Sequence, residues 1–178
     1  MIQHLTDIVV EARKKGKKRL AVAYGQDSHT LEAVYNAYKE GLVEPTLFGE
    51  KAVIEQVCRE NDIDINAFTI VDEKSDVKCV QLAVAAVVAG VADVLMKGLV
   101  STDKYMRGIL NKEAGLFPPK GVLSHVSVIE IPSYHKLITV SDVAVIPLPD
   151  FKQKQKQIGY LAQTAKLLGI ATPKIACI

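Results

Sequence analysis

Ser101, Thr102 and Arg107 are the residues whose types and spacing point most clearly to chemistry. They follow Lys97 and Gly98 in the stretch KGLVSTDKYMR. A serine or threonine at a helix start caps the helix and offers a hydroxyl, and a preceding glycine lets the backbone approach a ligand closely. Free N–H groups and the positive end of the helix dipole make such a start an anion site. Arg107 lies about one turn further along, so its planar guanidinium can reach back to two oxygens of the same phosphate.

A plainer interpretation accounts for the same residues. Asp103 and Arg107 are four positions apart, so on a helix they can form an ion pair worth about 0.2–0.5 kcal/mol. Ser101 or Thr102 would then only cap the helix. Composition alone does not separate this capped helix from an anion site.

A second turn, GQDSHT, begins at Gly25 after an apolar run and contains Asp27 and Ser28. It has neither the GxGxxG fingerprint nor the GxxxxGK[ST] pattern, so the sequence predicts neither a dinucleotide-binding dehydrogenase nor a P-loop protein. An ordinary turn with Ser28 as the helix cap is favoured over a binding loop. Asp27 and Ser28 remain candidates because a turn after a strand can carry ligand groups.

No metal site is predicted. The cysteines are Cys58, Cys79 and Cys177, and they form no CxxC pair. The histidines are His4, His29, His125 and His135, and none has the spacing of helical metal ligands.

The elements that must position these residues alternate between short apolar strands and longer helices. Helices are predicted near residues 2–15, 29–40, 50–60, 75–89 and 102–113. Strands are predicted near residues 19–24, 45–48, 67–71 and 92–97. This order favours parallel βαβ units, so the predicted fold class is α/β, a doubly wound parallel sheet with helices on both faces. Ligands of such sheets bind beyond the carboxyl ends of the strands.

The pattern changes at the double proline, Pro118-Pro119, which forbids a helix. The runs beyond it, near 121–131, 137–140 and 143–146, have no helix between them and predict a hairpin or meander. A helix near 151–168 and a strand-like run at 174–178 follow. The predicted domains are therefore residues 1–117, a parallel α/β domain, and residues 118–178, the beginning of a second, β-rich α/β domain.

The composition is that of a globular protein, with 49% hydrophobic and 24% charged residues. That content excludes a disordered chain. The apolar run at 79–96 is interrupted by Gln81, Gly90 and Asp93, so it predicts a buried helix and a buried strand rather than a membrane span. The first residues lack the apolar core of a secretion signal, so we expect a cytoplasmic protein with no membrane partner.

Six basic residues fall within positions 13–19, although the whole chain has a net charge of only +2. A nucleic-acid patch and a solvated helix end are both compatible with such a cluster. No aromatic residue interleaves with the charges and no nucleic-acid module follows, which favours the solvated helix end. The prediction is no nucleic-acid partner.

Four motifs occur in order along the chain. They are STxxxxR at Ser101, Thr102 and Arg107, LNKEAGL at 110–116, LSHV at 123–126, and (T/S)DxAxxxxP at Ser141, Asp142, Ala144 and Pro149. Together they resemble the phosphate acetyl/butyryltransferase family, and its phosphate butyryltransferase branch most closely. The resemblance extends along essentially the whole chain.

The resemblance implies an acyltransferase that interconverts acyl-CoA, butyryl or a similar short chain, plus phosphate with acyl phosphate plus CoA. It implies no metal and no cofactor, with coenzyme A as a substrate, and a homodimer or higher homo-oligomer. The implied architecture is like that of isocitrate and isopropylmalate dehydrogenases. The phosphate or acyl-phosphate oxygens would be bound by Ser101, Thr102 and Arg107 beside Gly98.

One departure from the family puts catalysis in doubt. Family members are longer, and the residues usually assigned to thiol activation lie in a C-terminal part that nothing here matches. Catalytic residues stay unknown, and the further cleft candidates are Lys97, Asp27, Ser28, His125 and Asp142. We expect the 178-residue chain alone to be an incomplete enzyme. The alternative is a non-catalytic domain that binds CoA esters or acyl phosphates.

Overall fold

The computed structural model describes residues 2–119 and 121–178. The chain divides into two compact units: residues 15–118, here the sheet unit, and residues 1–14 with 119–178, here the hairpin unit. The predicted domain boundary at 117/118 lies one residue from this division. The N-terminal helix groups with the hairpin unit rather than with the sheet that follows it in sequence. Lys120, at the predicted break, lies outside the described residues.

The secondary structure follows the predicted order closely. The helices are α1 (Leu5–Lys14), α2 (Ser28–Lys39), α3 (Lys51–Glu60), α4 (Asp76–Val88), α5 (Thr102–Ile109) and α6 (Phe151–Leu167). The strands are β1 (Lys18–Ala23), β2 (Val43–Gly49), β3 (Thr69–Asp72), β4 (Val94–Lys97), β5 (Ser127–Ile129) and β6 (Ile138–Val140).

The sheet unit is a parallel sheet in the order β3-β2-β1-β4 with a helical layer on each face. Side chains alternate along β1, so Leu20 and Val22 join the core beneath α2 and α3. Ala21 and Ala23 join the core beneath α4 and α5. Burial on both faces explains why the strands read as continuous apolar runs.

The hairpin unit contains the antiparallel pair of β5 and β6, which is the predicted hairpin. Helix α6 begins with a complete capping box, in which Asp150 and Gln153 satisfy each other's backbone N–H groups. The Tyr160 hydroxyl donates to the Val122 carbonyl at 2.8 Å. Helix α1 is bound to the same unit by a hydrogen bond, in which the Glu130 carboxylate accepts from the Leu5 N–H at 2.9 Å.

Several predicted segments differ from the structure. Of the predicted β-rich run near 121–131, only Ser127–Ile129 forms a strand. Helix α5 ends at Ile109 rather than 113, because the Asn111 side chain accepts from the N–H groups of Glu113 and Ala114 and forms a turn. The run at 143–146 is not a strand, since Asp142 captures the backbone donors at its start. The run at 174–178 is likewise outside any strand.

The strand predicted to be buried after the apolar helix is β4, at one edge of the sheet. Val94 is therefore 42% exposed, so that part of the prediction was wrong. The helix before it, α4, buries Cys79, Val80, Ala83 and Val84 as expected. Within the described residues, we find no helix with the length and apolar character required to span a bilayer.

Candidate functional site

Two loops meet at the carboxyl end of the sheet, where the strand order reverses. From β1 the chain moves outward to β2 and β3, then returns to place β4 on the other side of β1. The loops after β1 and β4 lie side by side, because Gly98 N–H donates to the Ala23 carbonyl and Leu99 N–H to the Tyr24 carbonyl, both at 2.9 Å. Such a switch point is where open parallel sheets bind ligands.

Gly98 is required at this junction for a steric reason. It is buried, and a Cβ at its position would collide with the Tyr24 backbone carbonyl and with Gly25. Tyr24 has a left-handed backbone, with φ of 58°, which few non-glycine residues adopt outside tight turns and functional sites. The two loops can therefore approach closely only with a glycine on the β4 side.

Helix α5 begins at this junction and presents unused donors. Ser101 is its N-cap, and the Ser101 hydroxyl accepts from the Lys104 N–H at 3.4 Å. The N–H groups of Thr102 and Asp103 donate no hydrogen bond within the described part of the chain. Ser101 and Thr102 are exposed. Free N–H groups at the positive end of a helix dipole favour an anion.

Helix α2 begins at the other loop of the junction, but its cap differs from the predicted one. Asp27, not Ser28, is the N-cap, and it accepts from the Thr30 N–H at 3.0 Å and from the Thr30 hydroxyl at 2.6 Å. Ser28 is the first residue of the helix. The Asp27 carboxylate is thus committed to structure at the helix start.

Arg107 lies one turn into α5 and is highly exposed. Its Nε donates to Asp103 Oδ1 at 3.2 Å, with Oδ2 at 3.0 Å, while its terminal Nη groups donate no hydrogen bond to the described residues. The predicted ion pair is therefore present, and part of the guanidinium remains available. Arg107 also borders a groove of about 360 Å³ between α4 and α5, with Val80 and Val84 in its wall.

Two lysines add positive charge near the start of α5. Lys97 is exposed at the end of β4, and its Nζ donates to the Gly98 carbonyl at 3.4 Å. Lys104 pairs with Asp76 at the start of α4 at 2.5 Å. The hydrogen bond from Lys104 holds the pKa of Asp76 below its usual range. Asp76 therefore stays charged and joins the N-terminal turns of the two helices.

His125 and Asp142 lie in the hairpin unit and come together there. Asp142 accepts hydrogen bonds from the Ser124 hydroxyl at 2.7 Å, from the His125 N–H at 3.0 Å, and from the N–H groups of Ala144 and Val145 at 2.8 Å. Burial acts to raise the pKa of Asp142, but these hydrogen bonds outweigh it and hold the pKa well below its usual range. A carboxylate so fully engaged is a poor proton acceptor, so its geometry is that of an anchor.

The sequence analysis did not single out Tyr24 or Ser124. It named Asp103 only as an ion-pair partner of Arg107. Ser124 lies in the LSHV motif, so a signal was present. The left-handed backbone of Tyr24 had no signal beyond the glycine that follows it, because tyrosine rarely adopts it.

The fold and its junction loops define a parallel α/β protein with its candidate ligand loops at the carboxyl ends of the strands. The profile of the family described as phosphate acetyl/butaryl transferase matches residues 4–82 and 75–178. The chain belongs to this family.

Similar proteins include a phosphate butyryltransferase of Clostridium acetobutylicum, 37% identical over 99% of this chain, and a phosphate acetyltransferase of Thermotoga maritima, 37% identical over 98%. The chain spans 58% of the length of each of these relatives.

Solved structures agree on the fold. A phosphotransacetylase from Streptococcus pyogenes matches with a TM-score of 0.76 and 17% identity, over 94% of this chain and 60% of that one. A branched-chain phosphotransacylase from Enterococcus faecalis matches with a TM-score of 0.69 and 23% identity, over 88% and 53%.

Proposed function

We propose that the junction of the β1 and β4 loops binds the oxygens of phosphate or of an acyl phosphate. The observation that carries this proposal is the unused N–H pair at the start of α5, placed at the switch point of the sheet. Ser101 and Thr102 supply hydroxyls, Gly98 permits the close approach, and Arg107 supplies its unused Nη groups. Lys97 adds positive charge at the same edge.

We propose that the complete protein interconverts acyl-CoA plus phosphate with acyl phosphate plus CoA. In one direction the CoA sulfur attacks the acyl-phosphate carbonyl carbon, a C–S bond forms, and the C–O bond to phosphate breaks. The thiol proton passes to a base, and phosphate leaves with its charge held by Arg107 and the α5 N–H groups. Coenzyme A enters as a substrate. The base and the donors to the carbonyl oxygen are unassigned.

A second candidate function is binding without catalysis. It is favoured by the engagement of Asp27, an acid at the candidate loops, in capping α2. A domain that binds CoA esters or acyl phosphates without turnover would need only the anion site.

The proposal also covers the domain architecture, the cellular location and the oligomeric state. The division near residue 118 would separate two domains of an isocitrate dehydrogenase-like architecture. A cytoplasmic location and a homo-oligomeric state complete the proposal, and both come from the sequence and the family resemblance.

Phosphate calorimetry tests the anion site. Arg107→Ala should weaken phosphate binding by about tenfold or more, because hydrogen bonds to charged groups are the strong ones. Arg59→Ala, an exposed arginine in the last turn of α3, is the matched control and should leave binding unchanged. Equal affinity in the Arg107 variant and the wild type would remove Arg107 from the site.

A thiol-release assay tests whether this chain by itself carries out acyl transfer. The chain is supplied with butyryl-CoA or acetyl-CoA and phosphate. Turnover above about 1 s⁻¹, ordinary for an enzyme, supports acyl transfer by this chain. Phosphate binding without turnover supports the binding domain, or a site that needs residues from outside this chain.

A further inference from the structure

Asp103 lies where it can oppose the anion proposed above. It is in the first turn of α5, its carboxylate touches Arg107 Nε at 3.0 Å, and both side chains are mostly exposed, 69% for Asp103 and 79% for Arg107. An anion on the Nη groups of the same planar guanidinium would be about 5–6 Å from that carboxylate. The two negative groups would share one cation and one helix start.

We propose that Asp103 is a built-in competitor that limits the affinity of the junction for doubly charged anions. The proposal rests on the proposed anion site and adds its regulation. The Asp103 carboxylate accepts from Arg107 Nε and lies in the first turn of α5, at the positive end of the helix dipole. A bound anion must share the Arg107 guanidinium and the helix dipole with Asp103. The anion therefore binds more weakly and dissociates more readily.

Asp103 could instead serve only to orient Arg107, and the sizes of the two effects on anion affinity decide between these roles. Repulsion between a carboxylate and a doubly charged anion about 6 Å apart, in water-like dielectric with physiological salt, lowers affinity by about two- to fourfold. The benefit of an exposed i,i+4 pair in orienting Arg107 corresponds to about twofold or less. Repulsion is therefore the larger effect, and the net action of Asp103 is to weaken binding.

Three substitutions separate charge from shape. Asp103→Asn removes the charge and keeps an oxygen that can accept from Arg107 Nε, so phosphate should bind about two- to fourfold more tightly. Asp103→Ala also removes the acceptor, so its gain should be smaller. Asp103→Glu keeps the charge and should retain the wild-type affinity.

The experiment is calorimetry with inorganic phosphate on the wild-type chain and these variants, at low salt and at 0.5 M salt. The gain in Asp103→Asn should shrink at high salt, since screening removes the repulsion and a structural change would not respond in this way. Glu60→Gln, at the far end of α3, is the control for loss of one negative charge and should show no gain.

An unchanged or weaker affinity in Asp103→Asn, with binding measurable in the wild type, would overturn the competitor role. A gain that is independent of salt would also overturn it. Absence of phosphate binding in every variant is a different result, because it would overturn the proposed anion site itself.

Discussion

Residues 15–118 place their strands between two apolar layers, whereas residues 1–14 with 119–178 rely more on polar side chains. In the sheet unit Ala21, Val22 and Ala23 are completely buried between two core clusters. In the hairpin unit the buried apolar side chains among the described residues are Leu137, Ala165 and Leu168. The Asp142 carboxylate there connects two loops. Stability should therefore respond to cavities in one unit and to charge in the other.

The largest effect is expected for a cavity in the sheet unit. Leu47 is fully buried in β2, so Leu47→Ala should lower the free energy of unfolding by about 2–5 kcal/mol. Urea denaturation measures it. Leu148→Ala is the control, since Leu148 is 90% exposed in the hairpin unit and its loss should cost less than about 0.5 kcal/mol. Similar losses for the two variants would contradict the comparison.

A smaller loss is expected where the two loops of the sheet unit meet. Gly98→Ala should destabilise the chain by about 1–3 kcal/mol, because the new methyl group meets the Tyr24 backbone, and it should weaken phosphate binding. Gly159→Ala in α6 has open space around it and should stabilise by about 0.5–1 kcal/mol. Urea midpoints compare the two glycines. Tolerance of Gly98→Ala would show that the loops can separate.

In the hairpin unit, we expect stability to depend on the charge of Asp142. Asp142→Asn turns one of the two accepting oxygens into an amide NH2, which then faces either Ser124 and His125 or Ala144 and Val145, so unfolding should become easier by about 1–3 kcal/mol. Because the folded-state pKa of Asp142 is lowered, its contribution to stability is complete above the unfolded-state pKa of about 3.9 and is lost as pH falls below that value. Stability should therefore fall below about pH 4 more steeply in the wild type than in the variant. Parallel acid limbs would contradict this role.

The smallest effect is expected at the exposed contact that fastens α1. The hydrogen bond to Glu130, at 2.6 Å, raises the pKa of His4. The stabilisation is complete below the unfolded-state pKa of about 6.5 and is lost as pH rises through the raised folded-state pKa. An NMR titration of the His4 ring measures this, and Glu130→Gln should lower the pKa of His4. The same titration curve in both proteins would show that the pair does not form in solution.

Much of the fold could be predicted from local pattern. The alternation of apolar runs and helical stretches located the six α-helices of the described residues and most strands, but not the short 3-10 helix at Ile65–Ala67. Each longer element buries its own face and leaves that period in the sequence. The cap of α5 at Ser101 and the motif residues around Arg107 were also visible, since capping and the i,i+4 pair depend on neighbours within one turn.

Contacts between distant segments were decided only in the tertiary structure. Neither the meeting of Tyr24 with Gly98 nor the edge position of β4 has a local signal, because both depend on which strands pair. The same holds for Asp142, whose carboxylate reaches a segment 18 residues away and takes the donors that a predicted strand at 143–146 would have used. The amino-acid sequence by itself determined the elements and their order, since those follow from short-range periodicity and capping. Packing determined which loops share the ligand edge, since that depends on long-range pairing that no single segment records.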